Sequence, residues 1–163
     1  MEMLRRLRRR FRPGLHPKLR NSVTKAQYDT YFKFAFVRNP WARAYSWYWN
    51  VMQDEKHQRS MGITGEMTFE AFLTRYAGKD MLRPQTFWLR DFKGAIPLDF
   101  IGRFETLAED FAACCRRMGI SALELPHLRK SEHAHYRDVY TASLKERVAT
   151  VYREEIEMFG YSF

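Results

Sequence analysis

The sequence predicts an α/β domain in which a small parallel sheet is flanked by helices. Two short apolar runs, at residues 32–37 and 99–104, each lead directly into a capped helical pattern. A strand followed at once by a helix is the repeating half of a parallel α/β sheet, and the stretches between the runs carry apolar residues at helical spacing. Two strands are too few for a complete sheet, so either short strands lie in the loops or part of a larger domain is absent.

The chain of 163 residues has the length of one domain. Hydrophobic residues make up 45% of it and aromatic residues 16%, which excludes intrinsic disorder over most of its length. We assign residues 16–163 to the folded domain and residues 1–15 to a basic N-terminal arm. The arm has six arginines and one apolar helical face. It is either a solvated arm or a peripheral contact with an anionic membrane or polymer.

The charge balance points to anionic partners. The chain carries 28 Lys and Arg residues against 19 Asp and Glu residues, a formal charge of +9, which favours nucleotides, phosphates, sulfates, nucleic acid or acidic lipid. Cys114 and Cys115 are adjacent, which excludes a disulfide scaffold and indicates a reducing compartment. Because neither a membrane-spanning apolar run nor a secretory signal is visible, we expect a cytoplasmic protein.

The first strand and helix follow from local patterns. Weakly helical residues 17–30 precede the first strand, whose continuous apolar character is typical of burial on both faces. Asn39 then suits the N-cap of a helix and Pro40 its first turn. In that helix, which extends to about residue 54, the apolar stripe consists of Trp41, Ala44, Tyr45, Tyr48 and Met52.

Further helices are indicated by caps and stops. Residues 55–66 have the polar composition of a loop, after which Thr68 suits the N-cap of a helix that Gly78 stops. The second strand leads into another helix, for which Thr106 and Glu109 are spaced as a capping box.

The C-terminal part combines a basic loop with a last helix. His127, His133 and His135 of that loop lack a Cys or carboxylate partner at ligand spacing, so we expect no metal there. The last helical pattern, residues 141–158, predicts five buried side chains, which are Leu144, Val148, Val151, Tyr152 and Ile156.

Arg38 stands where the first strand ends and the first long helix begins. Free backbone N–H groups and the helix dipole favour an anion at such a place, and a guanidinium suits a phosphate. On helical spacing, Arg43, Ser46 and Asn50 group on a face away from the apolar stripe. The Ser46 hydroxyl can therefore donate to the anion that Arg38 binds. The alternative is a structural salt bridge for Arg38 and a plain surface position for Ser46.

Residues 36–46, FVRNPWARAYS, resemble the 3′-phosphate-binding motif of the sulfotransferases, especially the family 2 carbohydrate sulfotransferases. In that family an Arg and a Ser eight residues later hold the 3′-phosphate of PAPS (3′-phosphoadenosine 5′-phosphosulfate), roles that the resemblance gives to Arg38 and Ser46. The likeness implies a P-loop-like sulfotransferase fold. It continues, in order, at Arg83-Pro84-Gln85, at residues 99–107 with Asp110-Phe111, and at residues 157–163.

The resemblance also implies residues outside this motif. A histidine upstream of the phosphate-binding Arg acts in the family as general base on the acceptor hydroxyl, and His16 is the matching candidate. A later loop resembles the family's basic loop that closes over the nucleotide phosphates, which implies nucleotide contacts for Arg129, Lys130 and Ser131.

We expect the chain to lack the family's first strand and its loop around the 5′-phosphosulfate. The only Gly-Lys pair, Gly78-Lys79, follows a helix, and Asp80 stands where Ser or Thr is needed. The resulting prediction is PAPS-dependent transfer of a sulfuryl group to a carbohydrate hydroxyl, with no metal and no specific nucleic-acid partner. The alternatives are a non-catalytic sulfotransferase-fold remnant or bisphosphate-nucleotide-binding module, and a basic nucleic-acid-binding protein.

Overall fold

A computed structural model of the chain describes residues 23–121, 125 and 134–163. These residues fall into two units, one that ends at Lys33 and one from Phe34 to Phe163. The first unit contains helix α1, Lys25–Thr30, which begins with a capping box between Thr24 and Gln27. In the described ranges no helix is long and apolar enough to cross a membrane.

The second unit contains a parallel sheet of two strands, β1 (Phe34–Val37) and β2 (Phe100–Arg103). Its helices within the described residues are α2 (Pro40–Met52), α3 (Glu55–Met61), α4 (Phe69–Tyr76), α5 (Gln85–Leu89), α6 (Leu107–Arg117), α7 (Tyr136–Val139), α8 (Ala142–Val151) and α9 (Arg153–Phe159). Short 3₁₀ turns lie at Asp80–Leu82 and Phe104–Thr106. The prediction of a small parallel sheet flanked by helices is confirmed.

The two strands pack closely through Phe36 and Gly102, which lie opposite each other. A Cβ at Gly102 would lie 2.4 Å from the Phe36 ring, nearer than non-bonded carbon atoms approach. The ring also packs near Phe100 and Phe111, at centroid distances of 6.3 Å and 6.5 Å. Contrary to the prediction, β1 is not buried on both faces, because Phe34 at its start is 42% exposed.

The main core lies between α2, α4 and α8. As predicted, α2 begins behind the N-cap Asn39 and turns its apolar stripe inward. Trp41 Nε1 of α2 donates to the carbonyl of Lys145 in α8 at 3.0 Å. Tyr45 packs edge-on against Phe69 of α4, with ring centroids 5.2 Å apart. Other buried members of this core are Val37, Ala44, Val51, Phe72, Leu73, Leu144, Val148 and Tyr152.

Two local predictions about helix ends are wrong. Residues 55–66 are not a loop, because Asp54 caps α3 and Gly62, at φ 64°, ends it. This helix buries no residue, so it lacks the apolar stripe by which helices are recognised in a sequence. Thr106 forms no capping box, because its hydroxyl donates to Asp110 Oδ2 at 3.0 Å instead of accepting a backbone N–H.

The last helical pattern forms two helices rather than one. Tyr152, at φ −111° and ψ 21°, separates α8 from α9. Its hydroxyl donates to the carbonyl of Leu82 at 2.6 Å and accepts from the Gly78 N–H at 3.1 Å. Contrary to the prediction, Val151 at the end of α8 is exposed, while Glu155 of α9 is buried.

Candidate functional site

The turn between β1 and α2 has its backbone N–H groups engaged. Arg38 N donates to Gln85 Oε1 at 2.8 Å, and Asn39 N donates to Glu105 Oε1 at 2.7 Å. Pro40 has no N–H, and Asn39 Oδ1 accepts from the next two N–H groups of α2. The expectation of free N–H groups is therefore wrong. The helix dipole at the start of α2 still favours an anion. Hydrogen bonds to such an anion must come from side chains.

Segments that are distant in the sequence meet at this turn. Gln85 comes from the start of α5 and Glu105 from the 3₁₀ turn after β2, while Ser162 O accepts from Asn39 Nδ2 at 2.8 Å. The three contacts join residues 47, 66 and 123 positions apart. Each partner lies in one of the stretches that carry the sulfotransferase resemblance. These stretches therefore have a shared structural task, which is to hold the turn that bears Arg38.

A buried carboxylate lies behind Gln85. Glu155 is fully buried, and its Oε1 accepts from Gln85 Nε2 at 3.3 Å while its Oε2 accepts from the Gln85 backbone N–H. Arg43 Nη1 lies 3.7 Å from the same carboxylate, and Arg43 Nη2 donates to the carbonyls of Met81 and Arg83. Burial raises the pKa of Glu155, and the Gln85 N–H groups and Arg43 oppose that rise. Helical spacing places Arg43 away from the apolar stripe of α2. In the structure its guanidinium binds Glu155 and two backbone carbonyls, so its contacts are with the protein itself.

The Arg38 guanidinium is half-buried and lies over the Phe104 ring, with Cζ 4.4 Å from the ring centroid. Burial lowers the pKa of Arg38, and Glu105 opposes that shift. Both Glu105 oxygens accept hydrogen bonds elsewhere, from Asn39 N–H and from the Tyr161 hydroxyl at 3.2 Å. Among the residues that the structure describes, no carboxylate lies within ion-pair distance of the guanidinium. Within these residues the charge of Arg38 is therefore not balanced by an ion pair.

Arg38 lines a pocket of about 450 Å³. The residues that line this pocket are Arg38, Ala42, Phe104, Glu105, Ala134, His135 and Tyr136. The rings of His135 and Tyr136 lie 4.7 Å apart. The lining residues that the structure describes therefore combine one cationic side chain, one carboxylate side chain and three aromatic rings.

Comparison with known proteins decides the family. The sequence model of the family described as "Sulfotransferase family" matches residues 8–162. The chain belongs to the sulfotransferase family. An uncharacterized protein of Archaeoglobus fulgidus is 35% identical to it over 104 residues, which cover 63% of this chain and 79% of that protein. No solved structure matches the chain.

Membership of the sulfotransferase family confirms the resemblance and supports sulfotransfer as the general chemistry, from a sulfuryl donor to a hydroxyl-bearing acceptor. The matched range contains every residue that holds the β1–α2 turn, including Gln85, Glu105 and Glu155. In the described part of this sulfotransferase chain, no three His, Cys, Asp or Glu side chains are grouped to hold a metal ion.

The structure places the predicted nucleotide contacts unevenly. Arg38 lines the pocket of the sulfotransferase domain, whereas Ser46 is not among the lining residues. Ser46 lies on α2 one turn beyond Ala42, about 6 Å further along the helix axis. It is half-buried, and within the described ranges its hydroxyl makes no hydrogen bond. The predicted roles of four other residues lie outside the described residues: His16, Arg129, Lys130 and Ser131.

The Gly78-Lys79 turn of this sulfotransferase domain is structural. Gly78 N donates to the carbonyl of Leu82 and to the Tyr152 hydroxyl, both at 3.1 Å, and Lys79 N donates to Tyr76 O at 2.9 Å. A loop that cradles a phosphate needs such N–H groups for its ligand. As the sequence indicates, this Gly-Lys pair is not a phosphate-binding loop.

Sequence reasoning misses the residues that support the sulfotransferase site from behind. Gln85 and Glu105 attract attention only as members of the resembling stretches, without a role. The burial of Glu155 could have been recognised from its position in the sequence, because it follows the buried residues Val148 and Tyr152 at helical spacing. A carboxylate at such a position is rare without a buried partner, and Gln85 and Arg43 are those partners.

Proposed function

We propose that this protein transfers the sulfuryl group of PAPS to a hydroxyl of a carbohydrate, leaving adenosine 3′,5′-bisphosphate. The observation that carries the proposal is the position of Arg38. Arg38 stands at the end of β1, is half-buried with its guanidinium over Phe104, and lines a pocket of about 450 Å³. Family membership supports the transfer chemistry, and the resemblance of residues 36–46 supports PAPS as the donor and carbohydrate as the acceptor class.

The electrostatics of the site suit the 3′-phosphate of the donor. A guanidinium presents paired N–H donors that match two phosphate oxygens, and the adjacent Phe104 ring removes water from one face of the pair. The N-terminal end of α2 adds the favourable end of the helix dipole. Because the backbone N–H groups of the turn are engaged, Arg38 is the principal donor that we propose, with the Ser46 hydroxyl as the second.

The proposed reaction is an in-line displacement at sulfur. A bond forms between the acceptor oxygen and sulfur while the bond from sulfur to the bridging phosphate oxygen breaks, and its electron pair leaves with the 5′-phosphate. The acceptor proton passes to the candidate base His16. We assign Arg129, Lys130 and Ser131 to the loop that closes over the nucleotide phosphates. Arg38 binds at the far end of the nucleotide and contributes orientation rather than chemistry.

Calorimetric titration with adenosine 3′,5′-bisphosphate tests the nucleotide site directly, with AMP as the matched ligand that lacks the 3′-phosphate. We expect micromolar binding of the bisphosphate and much weaker binding of AMP. Turnover of PAPS with sugar acceptors, followed by release of the bisphosphate, then tests transfer. Equal affinity for the two nucleotides on a folded sample would remove the proposed role of the site.

A second candidate function is bisphosphate-nucleotide binding without transfer. The observation that favours it is the internal bonding of the Gly78-Lys79 turn, since the one Gly-Lys pair of the sequence does not cradle a phosphate. This reading predicts tight binding of adenosine 3′,5′-bisphosphate together with no PAPS turnover on any acceptor. Detectable transfer would exclude it.

A further inference from the structure

Gln85 binds both backbone groups of Arg38 and yet lies behind the pocket, not in its lining. Its Oε1 accepts from Arg38 N and its Nε2 donates to Arg38 O, each at 2.8 Å. The side-chain amide thus takes the place that a peptide group of a neighbouring strand would have. Because the N–H and the C=O of one residue are both held, the backbone dihedral angles of Arg38 are fixed, and with them the direction of its Cα–Cβ bond.

The orientation of this amide is set from the other side by Glu155. The second Nε2 proton of Gln85 donates to Glu155 Oε1 at 3.3 Å, and the backbone N–H of Gln85 donates to Glu155 Oε2. A carboxylate only accepts hydrogen bonds, so a flipped amide would place its oxygen against the carboxylate and its NH₂ against the Arg38 N–H. Arg43, 3.7 Å from the carboxylate and bonded to two carbonyls, fixes Glu155 in turn.

The structure assigns Gln85 as the positioning residue of the nucleotide site: its buried amide, oriented by Glu155, aims the Arg38 guanidinium at the 3′-phosphate. This inference rests on the proposed function of Arg38. Gln85 itself touches no substrate. Its loss therefore weakens recognition of the 3′-phosphate specifically, and leaves contacts to the rest of the nucleotide as they are.

The test is the ratio of two dissociation constants, for AMP and for adenosine 3′,5′-bisphosphate, in Gln85→Met. Methionine keeps the shape of the buried side chain and removes its hydrogen bonds. We expect the ratio to fall about tenfold, corresponding to about 1.4 kcal/mol of lost 3′-phosphate recognition. Thr86→Val is the matched control, because Thr86 is the next residue, is 1% exposed, and bonds Glu154 at 3.1 Å instead of Arg38. It lowers the melting temperature and leaves the ratio unchanged.

A purely structural role for Gln85 would lower the melting temperature of both variants and change the ratio in neither, and that result overturns the inference while the proposed function stands. If the unaltered protein does not discriminate between the two nucleotides, the proposed function fails and the inference fails with it. Should Gln85→Met not fold, Glu155→Gln decides. Glutamine keeps the volume of the buried carboxylate, but its amide presents an NH₂ donor as well as an oxygen acceptor, so it no longer fixes the orientation of Gln85. The same fall in the ratio is therefore expected, and an unchanged ratio overturns the inference.

Discussion

Replacing Arg38 by methionine isolates the charge that we propose binds the 3′-phosphate. Methionine keeps an unbranched stem that packs on Phe104, whose centroid lies 4.4 Å from the guanidinium carbon. Because residue 38 packs on Phe104 in both the protein and the variant, we expect the change in binding free energy to come from the contacts to the phosphate. The Gln85 amide bonds the backbone of residue 38 and is not altered by the substitution.

The expected loss follows from the donors of one guanidinium. Two charge-assisted hydrogen bonds to phosphate contribute about 1.5–3 kcal/mol each. Water recovers part of that in the variant, so we expect a loss of about 2–4 kcal/mol, which is roughly a 30- to 900-fold rise in Kd. AMP, which has no 3′-phosphate, should bind the variant as it binds the unaltered protein.

Calorimetry with both nucleotides gives the result, and Arg83→Met is the matched control. Arg83 is also half-buried, and its guanidinium carbon lies 4.5 Å from the centroid of Phe87, but it does not line the pocket. We expect this control to bind both nucleotides normally. If Arg38→Met weakened AMP and the bisphosphate to the same degree, or if Arg83→Met matched its effect, the reasoning about Arg38 would be refuted.

Three further predictions concern stability, each measured by urea unfolding. Gly102→Ala places a methyl group against the Phe36 ring and should lower the free energy of unfolding by about 1–3 kcal/mol; an unchanged midpoint would contradict the close packing of the strands. Asn39→Ala removes the cap of α2 and should cost about 1–2 kcal/mol, whereas no loss would mean that the cap is redundant. Burial raises the pKa of Glu155 in the folded state above its unfolded value. The folded protein therefore keeps this proton to higher pH than the unfolded chain does. As a result, the free energy of unfolding falls as the pH rises from the ordinary glutamate pKa through the raised value. Glu155→Gln should flatten that part of the pH profile, and an unaltered slope would assign it to other groups.

The strand, turn and helix around Arg38 could be predicted because their signals are local. An apolar run, an N-cap asparagine and a proline at the first helical position stand within a few residues of one another. The partners of that turn could not be predicted in the same way. Arg38 and Asn39 are bound by Gln85, Glu105 and Ser162. These contacts depend on the tertiary packing of distant segments, and no local sequence pattern shows which segments will meet.

Three of the errors arise because hydropathy is used as the measure of burial. Glu155 is buried although it is charged, because an amide and a guanidinium satisfy its carboxylate. Val151 is apolar but exposed at the end of α8. Helix α3 is held by the Asp54 cap and by Gly62, and an apolar stripe is not needed for it.

The long sequence separations at the β1–α2 turn have a consequence for protein synthesis. Two hydrogen-bond partners of Asn39 are synthesised after it: Glu105 comes 66 positions later and Ser162 comes 123 positions later. At about 5–20 residues per second, a ribosome needs roughly 6 to 25 s after it has added Asn39 to reach Ser162. During that interval Gln85 and then Glu105 are added, and Asn39 Nδ2 gains its partner, Ser162 O, last. The turn that bears Arg38 is therefore among the last parts of the domain to mature on the ribosome, and, on the proposed function, a nascent chain halted before residue 162 should not retain nucleotide.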